Sequence, residues 1–374
     1  MSTPDKIVRS LIGNYSAVYI AWATDERIRR RGASGGVGTA LLRYLLEHHR
    51  VDAVVVPRQR VNRGFVYGVW TVVRQGEELE RFSGSLYAPT FGFAKVFDLA
   101  LRRFGRIAVT AVPCYVEAAR RLARLRGREH AVFILGPYCN NTPNVYAVRY
   151  ALKRFHISAY EVVSISFRGY GWPGFTSIWT SGGVVRISFP IFWDSGFGHY
   201  FYGRSCFVCT NPTNVGADLS LADPWTLPAR EREPFMKLGG ATLVVVRSEK
   251  GLNLLREASE AGYLVLREVD PIFALPDSVL IKSTARVFAD VKNGISLSPG
   301  VFTILREAAY VFGRALALRE GAWPLLSFYH RGVGWLLSLA LLVDEGLGTR
   351  WGRVRRGIRR LQSAKGQEVV RMLK

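Results

Sequence analysis

A mixed, largely parallel α/β fold is predicted for this chain, on three observations. Short β-branched apolar runs recur between residues 14 and 269. Segments with apolar residues at helical spacing alternate with them, the pattern of strand–helix–strand units. Polar, glycine-rich turns separate the two kinds of segment.

Residues 14–22 (YSAVYIAWA) predict a first strand. A polar turn from Arg31 to Gly38 follows and opens a helix over 39–49, where Leu41, Leu42, Leu45 and Leu46 recur at helical spacing. VDAVVV (51–56) reads as a buried strand, and FVYGVWTVV (65–73) as another that ends in the turn QGEE. Residues 93–104 are helical by pattern. A strand over 106–112 ends at Pro113-Cys114, a helix covers 115–126, and a strand over 131–138 ends at Cys139. Ligands of parallel sheets gather at the carboxyl ends of strands, so both thiols are expected on one rim. Residues 140–225 are rich in Gly, Pro and aromatics, and predict short antiparallel strands with long ordered loops that carry binding sites. A strand (241–247), a helix (250–262) and a strand (263–269) close a second α/β unit. The remainder predicts a C-terminal helical extension. Its apolar stretch over 322–343 is interrupted by Pro324, His330 and Arg331 and falls short of the ~20 residues that span a bilayer. Three regions result: 1–105 with the Gly-rich turn, 106–272 with the cysteines, and 273–374 with the helical extension and a basic tail.

The 374 residues are 49% hydrophobic and 21% charged, enough for a large core in two lobes and against disorder in the main body. The N-terminal MSTPDKIVRSLIGNYSAVYIAW lacks the charged-then-apolar layout of a signal peptide, which predicts a cytoplasmic protein. Net charge is +22, and only nine of the 51 basic residues are lysine. Few Met and Cys among many ionisable residues suit a hot, reducing cytoplasm, that of a thermophile. Residues 350–374 hold nine basic residues and one acidic, Glu368. Such a tail is either a solvated surface or a contact for a partner, a nucleic acid or an anionic membrane.

Cysteine usage is the sharpest chemical signal. Cys114 and Cys139 each follow a strand, and Cys206 and Cys209 form a Cys-x-x-Cys turn; there is no other cysteine. Zinc and iron–sulfur clusters both take four thiolates, while structural zinc sites favour two close pairs. One pair and two strand-end singles suit a cluster within a fold better than a zinc ribbon. A Cys206–Cys209 disulfide stays open on spacing alone. The turn Gly32–Thr39 offers close backbone approach, a helix amino end, and the Ser34 and Thr39 hydroxyls to an anion, but it is neither a Walker motif nor a dinucleotide fingerprint. An ordinary helix start explains it equally well. Asp218 and Asp223 (ADLSLADPW) either order the Cys-x-x-Cys loop through backbone amides or face a ligand.

These segments resemble a known family. SGGVGTALLRYLLEHHRVDAVVV, GSLYAP (84–89), RIAVTAVPCYVEAARRL, FILGPYCNN, ISFRGYGWPG, CFVCTNPTNVGADLSLADPW and VVVRSEKGLNLL are similar, in the same order, to motifs of the coenzyme F420-reducing hydrogenase beta-subunit family, over about residues 30–265. That family includes hydrogenase, formate dehydrogenase and sulfite reductase components and (bacterio)chlorophyll reductases. The resemblance implies an oxidoreductase with FAD and one 4Fe-4S cluster, exchanging hydride with coenzyme F420 or another organic donor or acceptor and single electrons with an iron–sulfur partner subunit. It implies Cys114, Cys139, Cys206 and Cys209 as cluster ligands and Ser34, Gly35, Gly36 and Thr39 as FAD contacts. Ser85, Tyr87, Arg168 and Asp218 lie in motifs it places near the flavin. No general acid or base is assigned, because hydride transfer to a flavin need not use one, and no specific nucleic-acid partner is expected; peripheral membrane contact through the basic tail is an added option.

The chain also departs from the family pattern. Ala111-Val112 precede Pro-Cys where relatives carry Gly, Leu86 stands where relatives carry Lys, and Asn140-Asn141 follow Cys139 where Gly is usual. Many relatives hold further cysteines in a ferredoxin-like segment; four thiols here supply one cluster at most. Two rival readings are a zinc-stabilised basic nucleic-acid-binding protein and an electron-transfer subunit without a substrate of its own.

Overall fold

The computed structural model describes residues 8–9, 11–198, 201, 206, 209 and 211–275. The helical extension and basic tail expected beyond them lie, from residue 276 on, outside the described residues. The chain divides into two units, residues 1–198 with 202–287 and residues 199–201 with 288–374, and every element described below belongs to the first.

Twelve strands are described: β1 Ala17–Ala23, β2 Ala53–Asn62, β3 Phe65–Val73, β4 Thr90–Phe91, β5 Ile107–Thr110, β6 Val132–Pro137, β7 Val162–Ser166, β8 Phe175–Thr180, β9 Gly183–Ser188, β10 Leu219–Ala222, β11 Thr242–Val246 and β12 Leu264–Glu268. The helices are α1 Glu26–Arg31, α2 Val37–Glu47, α3 Phe93–Arg103, α4 Pro113–Leu125, α5 Tyr146–Arg154, α6 Phe189–Phe192, α7 Ala229–Lys237 and α8 Glu249–Glu260. Nine strands make one sheet in the order β12-β1-β11-β10-β6-β5-β2-β3-β4, and β7-β8-β9 make a separate antiparallel sheet.

The large sheet is mixed, as expected, but not largely parallel: four of its eight pairings are antiparallel, and the parallel ones are its centre and the β3–β4 edge. β10, β6, β5 and β2 run parallel, whereas β12, β1 and β11 on one side and β3 on the other pair antiparallel. Crossover helices explain the parallel centre: α4 carries the chain from β5 to β6. The apolar runs of the central strands are buried on both faces. Val54 and Val56 belong to a core with α2 and α8, while Ala53 and Val55 face α3 and α4.

Several elements differ from the sequence expectation. β2 continues through Pro57 to Asn62, because a two-residue turn at Arg63 (φ 49°) and Gly64 (φ 72°) zips it onto the whole length of β3. The expected strand ends before that proline. The turn expected at QGEE is a 3₁₀ helix, Gly76–Phe82. α1, capped by Asp25, is an addition to the expected elements, as are α5 and α7. α5 does carry a signal, because Ala147, Val148, Ala151 and Leu152 recur at helical spacing and are buried. α4 begins at Pro113, which suits the first helical position, so Cys114 sits inside the first turn rather than before it.

Candidate functional site

The carboxyl ends of β5, β6 and β10 lie side by side. Thr110 pairs with Leu135 across β5 and β6, and Leu221 with Pro137 across β10 and β6. Cys114 follows β5 and Cys139 follows β6, so the parallel register brings both to one rim. The segment carrying the other two cysteines is tied to the same rim by its own polar residues. Asn214 Nδ2 donates to Ala111 O (2.9 Å) and Pro137 O (3.2 Å), bridging the ends of β5 and β6. Gly136 is required beneath it, since a Cβ there would stand 2.3 Å from Asn214 Nδ2. Asn211 Nδ2 donates to Glu117 on α4 (3.2 Å), and the Cys139 amide donates to Pro212 O (2.9 Å).

The Thr142 amide donates to Cys206 Sγ at 3.4 Å. Cys114 keeps one side open to solvent. Desolvation of the other side pushes its thiol pKa up; the Tyr115 amide opposes this, and the charges of Cys206 and Cys209 add to the rise. Among the described residues, no three Cys, His, Asp or Glu side chains are grouped closely enough to hold a metal ion.

The Gly-rich turn lies across the end of β10. Gly36, left-handed at φ 74°, is the N-cap of α2 and supplies no side-chain cap to its first-turn amides. Gly35 and Gly36 are glycine for a local reason: a Cβ on Gly35 would meet Ala241 Cα at 2.6 Å, and one on Gly36 would meet Ile28 O at 2.7 Å. Ser34 donates to Ala241 O, and the Thr242 hydroxyl donates to Ser34 O. Thr39, half-buried, is the third residue of α2.

Beside this turn is the most unusual polar group of the fold. Arg168, 2% exposed, pairs in bidentate fashion with Asp223, just past β10, at 2.7 and 2.9 Å. Its Nε donates to Pro173 O (3.2 Å), and its guanidinium lies 4.8 Å over the Phe189 ring. Burial alone would lower its pKa; Asp223 and then Tyr87 more than offset that and raise it. Burial would likewise raise Asp223, but Arg168, then Trp172 and Ser34, hold its carboxyl below the usual range. Trp172 Nε1 donates to Asp223 at 2.7 Å and stacks at 4.3 Å on Trp225, which is 42% exposed. Tyr87 packs among Phe167, Phe189 and Trp193, and Ser85 lies half-buried two residues before it. Arg168 commits three of its donors to fixed protein acceptors, so it acts by holding Asp223, Trp172 and Tyr87 in place.

The structure therefore gathers Ser34, Gly35, Gly36, Tyr87 and Arg168 around one spot. Asp223 and Trp172 join them: of the two readings the sequence leaves open for Asp223, its place beside this group favours the one that faces a ligand. Asp218 does not join them. It immediately precedes β10, roughly 16 Å of strand from Asp223. There it accepts from the Ile134 amide (2.8 Å) and Ser248 (2.8 Å) and pairs with Arg120 (3.0 Å) and Lys250 (3.4 Å). Its sequence-based place near a flavin gives way to a structural one, because it sits at the amino rather than the carboxyl end of its strand. Asp218→Asn is expected to leave Arg120 and Lys250 short of a partner and to cost about 3 kcal/mol of stability. Thermal and urea unfolding curves of wild type and variant check this.

Comparison with known proteins agrees with this architecture. The N-terminal family model of the coenzyme F420 hydrogenase/dehydrogenase beta subunit matches residues 18–97, and the model of its C terminus matches residues 104–272. The chain belongs to the coenzyme F420 hydrogenase/dehydrogenase beta-subunit family. It is 28% identical over 250 residues to an F420-dependent formate dehydrogenase subunit beta of Methanocaldococcus jannaschii, covering 66% of this chain and 60% of the relative. It is 22% identical over 265 residues to a coenzyme F420 hydrogenase subunit beta of Methanococcus voltae, covering 70% of this chain and 87% of that one. The chain thus spans less than two thirds of the formate dehydrogenase relatives it matches. Among solved structures, a chain of the F420-reducing [NiFe] hydrogenase complex from Methanosarcina barkeri shares the fold, with TM-score 0.57 and 18% identity over 77% of this chain and 95% of that one.

Proposed function

We propose that this chain is the flavin- and iron–sulfur-binding subunit of an oxidoreductase that moves electrons between coenzyme F420, or a related hydride donor or acceptor, and an iron–sulfur partner subunit. The observation that carries the reading is the adjacency of two sites. Cys139 and Asp223 each lie two residues beyond a register pair of β6 and β10, Pro137 and Leu221, and neighbouring strands run ~4.8 Å apart. The sulfur rim and the arginine pocket are thus side by side.

By residue type the donor sets suit both groups, while among the described residues the sulfurs do not form a closed ligand cage. Four thiols from three segments, with an amide aimed at one sulfur, suit a 4Fe-4S cluster bound by Cys114, Cys139, Cys206 and Cys209. The uncapped first turn of α2 with Ser34, Gly35, Gly36 and Thr39 suits the phosphates of FAD, and the aromatic cluster of Tyr87 and Trp172, with Ser85 and Arg168 beside it, suits its ring. A bound flavin supplies the conversion between hydride and single-electron chemistry. The chain's residues orient and enclose: the buried Arg168–Asp223 pair fixes the pocket wall, and the Asn214 bridge fixes the sulfur rim beside it. Among the described residues no helix is long and apolar enough to cross a membrane.

Protein purified without oxygen tests the reading. Flavin bands with a broad iron–sulfur shoulder, and reduction of a viologen dye by reduced F420, are expected. Colourless, zinc-containing protein would sink it, and coloured protein inert toward F420 would leave only an electron-transfer role.

A further inference from the structure

The outer edge of the large sheet, strands β2–β4 with α5, is a second surface with its own chemistry. Resting on the electron partner of the reading above, we propose that it is the docking face for that partner, and that the partner presents an acidic protein surface.

Cross-strand register puts Arg58 opposite Val69, Arg60 opposite Tyr67 and Val69 opposite Phe91, so these side chains share one face. Phe91 is 54% exposed and Val69 38%, and Tyr67 lies edge-on to Phe91 at 6.0 Å. At the hairpin tip Arg149 of α5 covers Phe65 at 4.6 Å. None of β2, β3, β4 or α5 contains an acidic residue. Elsewhere arginines find carboxylates, as Arg126 does with Asp98 and Arg43 with Glu47. Among the described residues, Arg58, Arg60, Arg63 and Arg149 make no ion pair.

An apolar centre ringed by arginine, with no lysine on the strands, is the composition of a protein interface. Phe91 and Tyr67 among arginines are also what single-stranded nucleic acid stacks on, so that occupant is the competing outcome of the test. Carboxylates on the occupant are what the charge calls for. Location gives the face its purpose: Tyr115, next to Cys114, donates its hydroxyl to Thr90 O (2.8 Å), one residue from Phe91. The face is linked to the sulfur rim through the sheet, since Tyr115 packs on Trp70 on the reverse side of β3.

The test titrates the full-length chain with a purified acidic ferredoxin, and separately with poly(U) RNA, at low and moderate salt. Arg60→Glu and Phe91→Ser change the face, and Arg256→Glu, exposed on α8, makes the same charge change elsewhere. Ferredoxin affinity should fall about tenfold or more with Arg60→Glu and with Phe91→Ser, and should stay within about twofold with Arg256→Glu. Equal losses for the two arginine variants would reduce the effect to net charge and overturn the proposal. So would wild-type binding to poly(U) but not to ferredoxin, or self-association in sedimentation that Phe91→Ser abolishes. Absence of flavin and iron would end the functional reading without deciding this titration.

Discussion

If the proposed function holds, Cys114→Ser is expected to strip the iron–sulfur absorption from the protein while leaving the flavin bands in place. Serine keeps the shape of the first turn of α4 but offers the wrong donor for a cluster iron. Single-electron output to a viologen should drop by about 100-fold or more, given that even lesser disturbances of a metal's surroundings cost 10–100-fold. Iron content, flavin content and dye reduction on one anaerobic preparation check this. Loss of both cofactors together would mean that the rim and the pocket are a single structural unit; retention of full iron would remove Cys114 from the ligand set. Cys139→Ser, at the neighbouring strand end, should behave the same way.

The second large effect concerns stability. Asp223→Asn removes the only carboxylate paired with Arg168 among the described residues, and Arg168 is 2% exposed. Breaking a buried pair from one side costs about 3–5 kcal/mol, because the remaining charge stays desolvated. For a unit of this size that lowers Tm by roughly 10 °C. The pH dependence has a definite sign. Asp223 is held below the usual carboxylate range when folded, so the folded state binds fewer protons than the unfolded one in that window. Its contribution is therefore complete above the ordinary carboxylate pKa and is lost as pH falls through that range toward the folded value. Denaturation curves of wild type and Asp223→Asn should converge on acidification; a gap that stays constant down to strongly acid pH would mean the carboxylate charge is not what stabilises.

Much of this is legible in the residues. The alternation of β-branched runs with helical spacing points to the α/β class because the burial pattern of each element is a local property of sequence. The common rim for Cys114 and Cys139 follows from the rule about parallel strand ends. Other features are hidden for physical reasons. Strand direction at the sheet's flanks depends on which distant segments pair, so β1 between β11 and β12 leaves no local mark. Pro57 looks like a terminator because an isolated strand cannot show that its partner tolerates a missing donor. Asp218 and Asp223 share one short motif, and only the direction of β10 separates the carboxylate that braces the fold from the one at the pocket. Arg168 stands out by its motif, but its burial and its commitment to Asp223 belong to three-dimensional packing.

The order of the large sheet has a consequence for how the molecule is made. Ala17–Ala23 lie between Thr242–Val246 and Leu264–Glu268, hydrogen-bonded to both. A ribosome releases the first of these segments long before the other two exist. During synthesis the opening strand waits with both edges bare, while the parallel centre can already assemble around its crossover helices. Completion of the sheet is thus a late, long-range closure, of the kind that folds slowly and exposes chains to aggregation until it finishes.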